Sequence, residues 1–437
     1  MRRLAVALVL LGVTALAAVG AGAPRAHLVL ISIDGLRPEF YRSDAYAAPE
    51  LRRLARAGVS AGAAEGVFPS VTYPSHASIV TGVRPARHGI SFNVLFDPAA
   101  ERGRWYEEAA DLRAPPLWEW ARAAGLSTAA VSWPATVGAP IDLLVPERDY
   151  HQRPAPLEAL RAASSPGLFE RLGVTPKVEM FKDVIAWDEF LATTAAAMIR
   201  RGRPHLLLVH FVQLDYFQHR GGREAPELPA ALARVDGHVA TLARALSEAG
   251  IAERAAVIVT GDHGFQDVSA MALPNVILAR TGLRACPRAG EGWRATAHIS
   301  GGAAAIFVSP PGDAEAAAVA EQALRRDANA AFTVLTRREL DELGAMPGAA
   351  LALEAAPGYA FSGSCGRALT QPGGGGTHGF LPSRPSMATG FIAAGAGVRH
   401  GVLIDRVRLI DVAPTAARLL GVTPPPVEGR VLDEVIE

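Results

Sequence analysis

Three stretches of this chain share one arrangement, and it limits the possible folds more than any other feature. An apolar, β-rich run ends directly in an acidic residue: Leu28 to Ile33 leads into Asp34, Leu206 to Leu214 into Asp215, and Val257 to Gly261 into Asp262. Runs this apolar fit strands buried on both faces, as in parallel sheets. Strands are expected at His27 to Ile33, Thr128 to Trp133, His205 to Val212, Ala255 to Thr260, Ala303 to Ser309 and Gly390 to Ala394. Between them, Pro49 to Ala57, Leu117 to Ala124, Trp187 to Arg201 and Pro229 to Ala249 have amphipathic-helix spacing. Strand alternating with helix predicts an α/β fold with a central, mostly parallel sheet covered on both faces. In such sheets sites are built at the carboxyl ends of the strands, so three carboxylates far apart in sequence can converge.

Half of the 437 residues are hydrophobic and 20% are charged, which excludes a disordered chain and allows one enlarged domain or two linked ones. The formal charge is zero, so nothing suggests a nucleic-acid-binding face. Residues 1–23 join Arg2 and Arg3 to an apolar run and a small-residue end at Ala21, Gly22 and Ala23, the pattern of a secretory signal peptide. An uncleaved anchor is the rival reading. The leader implies export to the periplasm or secretion, with no membrane attachment once it is removed. The catalytic domain then spans 24–437. Cys286 and Cys365 could pair in an oxidising compartment or remain two buried thiols.

Residues 94–116 and 146–187, rich in proline and charge, read as surface excursions. Residues 266–375 read as an inserted lid that returns through the flexible joint Gly373 to Gly376.

A lone Asp after a strand is usually a cap or turn former. Here histidines accompany two of the three. Asp215 and His219 stand four apart and face the same way on a helix. Asp262 and His263 are adjacent within Thr260-Gly261-Asp262-His263-Gly264, and Thr377-His378-Gly379-Phe380 adds a third histidine beside glycine. Mixed carboxylate and imidazole donors suit zinc, with manganese or iron as alternatives, better than magnesium or calcium. His76, His88, His205, His210, His298 and His400 lack such a setting and read as structural or exposed. Phe68-Pro69-Ser70-Val71-Thr72-Tyr73-Pro74-Ser75-His76 precedes a helical pattern, which puts the Thr72 hydroxyl near a helix N-terminus where negative charge is favoured. A threonine there is most often only an N-cap. A hydroxyl becomes an effective nucleophile when a base or metal removes its proton.

Together these residues resemble the nucleotide pyrophosphatase/phosphodiesterases of the alkaline phosphatase superfamily. The resemblance rests on Ile33-Asp34-Gly35-Leu36-Arg37, the Phe68 to His76 segment, Thr81-Gly82, His88-Gly89-Ile90, Asn93, Asp215 with His219, Gly261-Asp262-His263-Gly264 and His378-Gly379-Phe380. It extends to Asp411 through Thr415, Leu420-Gly421 and Glu428-Gly429-Arg430. It implies an alkaline-phosphatase-like three-layer sandwich with an inserted lid. It also implies two zinc ions, one held by Asp34, Thr72, Asp262 and His263, the other by Asp215, His219 and His378. Thr72 would be the nucleophile, passing through a phosphothreonine, and Asn93 would donate to a non-bridging oxygen, worth roughly 3 kcal/mol at the transition state. The substrate would be a small phosphate diester or phosphoanhydride.

The run His210-Phe211-Val212-Gln213-Leu214-Asp215-Tyr216 departs from the acidic-Pro-Asp pattern common in nucleotide-using members. Tyr73 either stacks on substrate or fills the core. A phosphomonoesterase or a phosphonoacetate-hydrolase-like enzyme shares the same residues and is the alternative. A sulfatase is disfavoured because neither cysteine has the Cys-x-Pro-x-Arg setting, and a phosphoglycerate mutase because it uses serine in the cytosol. A non-catalytic metal-binding relative would lack a ligand, and none is missing. Arg37, Asp44 and Trp133 read as structural. The natural substrate and oligomeric state are open.

Overall fold

The computed structural model describes residues 26–97, 103–285 and 292–437. The expected leader, 1–23, and Cys286 of the expected cysteine pair lie outside the described residues.

The centre is an eight-stranded sheet. Its strands include β1 (His27–Ile33), β2 (Val59–Glu65), β3 (Thr128–Val131), β4 (Leu143–Val145), β5 (Leu206–Phe211) and β6 (Ala255–Thr260). Across the sheet the order is Val402–Arg408, β2, Phe391–Gly395, β6, β1, β5, β3, β4. Only Phe391–Gly395 runs antiparallel to its neighbours.

Every residue of β1 and β5 is buried, as expected of strands covered on both faces. Successive residues of β1 enter opposite cores. Val29, Ile31 and Ile33 pack with the helices Pro49–Ala57, Val184–Gly202 and Leu228–Glu248. Leu28 and Leu30 pack with the helices Thr72–Thr81, Leu117–Ala123 and Val412–Leu419. Period-two alternation thus yields the three-layer sandwich. Among the described residues no helix is long and apolar enough to cross a membrane.

One expected strand belongs elsewhere. Ala303–Val308 sits in a separate antiparallel sheet, ordered Phe332–Thr336, Leu351–Ala355, Ala303–Val308, Ala295–Ser300. A short apolar run reads the same whichever sheet buries it. Conversely β2, β4 and Val402–Arg408 escaped the pattern, because β2 is rich in alanine, β4 has three residues and Val402–Arg408 is a partly exposed edge.

The chain leaves the central sheet after β6 and comes back along itself. Gly376–Thr377 pairs antiparallel with Gln266 and Asp267, bringing His378 beside the segment that follows His263. Gly375 and Gly376 act through close contact with the neighbouring helix Gln213–Gly221. Gly375 has φ +71°, and a Cβ there would lie 2.0 Å from the carbonyl oxygen of His219.

Candidate active site

The strands that lead to the three aspartates are neighbours in the sheet, in the order β6, β1, β5. β5 stops at Phe211, so Asp215, expected directly after an apolar strand, lies instead in the helix that follows, because the apolar run Val212 to Leu214 turns helical. Asp34 extends the β1–β5 ladder through its backbone N–H, which donates to Phe211 O at 2.9 Å. Asp262 is fully buried, with Oδ1 accepting from the backbone N–H groups of Gly35 and His263 at 3.1 and 3.0 Å. Asp215 lies in the first turn of the helix Gln213–Gly221, whose next turn carries His219. His219 Nε2 is 3.3 Å from Asp215 Oδ1, as the four-residue spacing predicts.

That helix begins without a side-chain cap of its own. Asp188, from the helix Val184–Gly202, supplies one: its carboxylate accepts from Val212 N at 3.1 Å, from Gln213 N at 3.1 Å and from Gln213 Nε2 at 3.0 Å. Burial pushes the Asp188 carboxyl up to about 6 despite those bonds.

The three histidines are oriented by one device. His219 Nδ1 faces Gly376 O at 3.0 Å, His378 Nδ1 faces Ser70 O at 3.1 Å, and His263 Nδ1 faces Gly264 O at 3.2 Å. A carbonyl can only accept, so each Nδ1 carries a proton, and in the neutral ring each Nε2 is left with a lone pair that a cation could take. These lone pairs converge. His263 Nε2 lies 3.2 Å from Asp34 Oδ1 and 3.2 Å from Asp262 Oδ2. His378 Nε2 lies 3.1 Å from His219 Nε2 and 3.6 Å from Asp215 Oδ1. The His263 and His378 rings stack with centroids 3.6 Å apart.

Asp34 Oδ1, Asp262 Oδ2, Asp215 Oδ1 and His263 Nε2 are buried without a hydrogen-bond partner. Buried acceptors facing one another are unfavourable unless a cation lies among them, so this donor set fits metal. Two trios place one donor atom each within 4.8 Å of the others: Asp34, Asp262 and His263, and Asp215, His263 and His378. His263 therefore stands within reach of both halves of the cluster.

The electrostatics carry the same strain. Burial, then the charges of Asp215 and Asp262, hold the Asp34 carboxyl well above the usual range, and burial pushes Asp262 up to about 7. Burial takes His263 well below its ordinary value and His378 down to about 4. For the remaining pair burial is outweighed by mutual attraction: His219 rises to about 9 and Asp215 falls.

Thr72 opens the helix Thr72–Thr81 as its first residue; Val71 is the N-cap, with no side-chain cap bond. Its hydroxyl is therefore not serving as the N-cap that a threonine in this setting usually provides. The next turn ties the helix to the cluster, because His76 Nδ1 bonds Thr72 O at 2.8 Å and lies 3.7 Å from Asp262 Oδ2. Asn93 accepts from Tyr73 N at 2.9 Å through Oδ1. Tyr73 is buried in an apolar cluster, and it also lines a cavity of about 480 Å³ with Trp105, Glu147, Tyr150, Trp187 and Tyr216.

Two histidines read from sequence as structural lie inside this constellation. His76 is one. His210, on β5, reaches Asp34 Oδ2 at 3.3 Å through Nε2 and Glu147 Oε2 at 2.6 Å through Nδ1. Its place at a strand end, five residues before Asp215, was the available signal. Glu147 lay hidden in a stretch read as a surface excursion. Arg37, buried against Phe40 and near Glu39, and Trp133, packed edge-on to His76, have contacts that fit a structural role.

Fold and site together define an α/β protein with a convergent carboxylate and imidazole cluster at its strand ends. The model of the type I phosphodiesterase / nucleotide pyrophosphatase family matches residues 28–381, and the chain belongs to that family. Human ectonucleotide pyrophosphatase/phosphodiesterase family member 1 is 25% identical over 253 residues, which is 55% of this chain and 24% of that protein. Bovine bis(5'-adenosyl)-triphosphatase is 27% identical over 255 residues, 55% of this chain and 48% of that protein. The chain thus spans less than half the length of these two relatives. Murine ectonucleotide pyrophosphatase/phosphodiesterase 5 shares the alkaline-phosphatase-like fold, with a TM-score of 0.70 at 20% identity over 94% of this chain and 100% of that one. That murine protein has also been solved as an inactive threonine-to-alanine variant in complex with AMP.

Proposed function

We propose that this chain hydrolyses phosphodiester or phosphoanhydride bonds in small phosphate esters, with Thr72 as nucleophile and two zinc ions as cofactors. The observation that carries the reading is the meeting of unpartnered Asp34, Asp262 and Asp215 oxygens with three Nε2 lone pairs beside the helix that Thr72 begins. Asp34, Thr72, Asp262 and His263 would hold one ion, and Asp215, His219 and His378 the other. When bound, such ions neutralise the carboxylates, help an alcohol or water lose its proton and polarise phosphoryl oxygens.

The protein's own groups divide the remaining work. Thr72 Oγ attacks phosphorus as the bond to the leaving oxygen breaks, and water then takes the phosphoryl group from Thr72, restoring the hydroxyl. Backbone N–H groups at the helix start favour the developing negative charge. Asn93, whose oxygen is occupied by Tyr73 N, turns its amide N–H toward a non-bridging oxygen. Tyr73 and the aromatic cavity beside it receive the organic part of the substrate. The bis(5'-adenosyl)-triphosphatase activity for which the bovine relative is named and the AMP bound to the murine one favour a nucleotide there. The leader-like residues 1–23 favour an exported enzyme.

The test compares hydrolysis of bis-p-nitrophenyl phosphate, p-nitrophenyl phosphate and a dinucleoside polyphosphate by wild type and Thr72→Ala, with bound metal counted by mass spectrometry. The diester and the polyphosphate are expected to be cleaved faster than the monoester, with about two zinc ions per chain. Thr72→Ala is expected to lose at least about 1,000-fold in kcat. A faster monoester points to the phosphomonoesterase alternative, and full activity in Thr72→Ala removes the nucleophile assignment.

A further inference from the structure

We propose that Glu147 and His210 are positioning residues of the cluster: Glu147 clamps the His210 ring, and His210 occupies one oxygen of Asp34 so that the other faces His263 and Asp262. The inference rests on the two-metal reading above.

Both nitrogens of this ring face acceptors only. Nδ1 meets Glu147 Oε2 at 2.6 Å and Ser132 O at 3.1 Å, while Nε2 meets Asp34 Oδ2 at 3.3 Å. Two acceptors on one side and one on the other leave the ring a single orientation, with N–H donated toward each carboxylate. The side chain is 1% exposed, so water does not compete for those bonds.

The division of labour at Asp34 follows. Oδ2 is taken by His210, whereas Oδ1 has no hydrogen-bond partner and lies 3.2 Å from His263 Nε2. Without the donor on Oδ2, the carboxylate is free to rotate about its Cβ–Cγ bond, away from Asp262 and Asp215. Groups that hold a ligand from behind in this way commonly set metal affinity as strongly as some ligands do.

The backbone is shaped for the clamp. β3 and β4 run parallel, and Ser132 N donates to Val145 O at 2.7 Å, continuing their ladder. Ser132 then turns into the left-handed region, at φ 55°, which directs its carbonyl to His210. A non-glycine residue held there is strained and persists only where its surroundings require it. Two residues beyond Val145, Glu147 completes the clamp. Its side chain is 18% exposed and also lines the aromatic cavity with Tyr73. Glu147 thus links the wall on which the organic part of the substrate would rest to the carboxylate that faces the metal.

The experiment measures zinc affinity by chelator competition, the visible spectrum of the cobalt-loaded protein, and kcat with KM, for wild type, His210→Ala, His210→Gln and Glu147→Gln. His210→Ala is expected to weaken one of two zinc sites about 10- to 100-fold and to alter the cobalt spectrum, with kcat falling more than KM changes. His210→Gln, whose amide can still donate toward Asp34, is expected to recover part of that loss. Glu147→Gln, nearly isosteric, is expected to give a smaller loss at the same site, and it carries the test should His210→Ala fail to fold. A lower melting temperature with wild-type zinc affinity and an unchanged cobalt spectrum overturns the inference, leaving a merely structural histidine. Wild type that binds neither zinc nor cobalt overturns this inference and the two-metal reading together. Two bound zinc ions and an inactive Thr72→Ala beside an unaltered His210→Ala overturn this inference alone.

Discussion

The two halves of the cluster are built differently. Asp34, Asp262 and His263 come from the ends of adjacent strands and are fully or nearly fully buried. Asp215 and His219 come from one helix, and their side chains are 21% and 40% exposed. His378 arrives from a distant segment pinned to the strand Gln266–Ala272. The first half is thus set by neighbouring strands of one sheet. The second depends on a cap from Asp188 and on glycines that let two backbones touch. The contrast teaches that one cluster can combine a half set by adjacent strands with a half set by longer-range supports.

Removing a proposed ligand from the buried half tests the contrast most severely. Asp262→Ala is expected to lower kcat by about 1,000-fold or more, since a metal's charge stabilisation amounts to several kcal/mol and each 1.36 kcal/mol is tenfold in rate. An equal or larger loss from His219→Ala would show the halves to be equivalent. Next in size is metal removal. Under a chelator, bound zinc is expected to leave in two phases, the faster from the partly exposed half, as read by mass spectrometry of timed samples; one phase would erase the distinction. A smaller effect is expected from Asp188→Ala, which leaves the N–H groups of Val212 and Gln213 unpaired. Chemical denaturation should register a loss of about 1–3 kcal/mol, with weaker metal retention by Asp215 and His219.

The smallest effect is a slope. Burial raises Asp188 from 3.8 to about 6, so its ionised form is less favoured in the folded than in the unfolded chain. Its contribution to stability therefore declines as pH rises from about 4 to about 6 and is level above that. Melting curves of wild type and Asp188→Asn are expected to change in relative position only within that window.

Much of the site was legible in sequence because ligand chemistry leaves local marks. Apolar runs ending in Asp34, Asp215 and Asp262 are read from period and composition, and the Asp215–His219 spacing is a property of any helix. His210 left only its place near a strand end, and Glu147 left no such mark. A histidine inside a buried strand looks the same whether it fills space or clamps a carboxylate, and Glu147 becomes informative only once β4 lies beside β3. The segment 266–375 was equally opaque in detail. The run at Ala303 joined an antiparallel sheet, because short-range pattern does not encode which partner a strand finds.

Residue order alone determined the α/β class, the aspartates Asp34 and Asp262 just beyond strands and the pairing of carboxylate with imidazole donors, since each follows from periodicity or spacing within a few residues. Only tertiary structure decided that β6, β1 and β5 are adjacent, that His378 returns beside His263, that Asp188 caps the helix carrying Asp215 and that Glu147 meets His210. The reason is physical: which strands become neighbours is set by burial across the whole chain, and contacts between residues far apart in sequence are recorded nowhere locally.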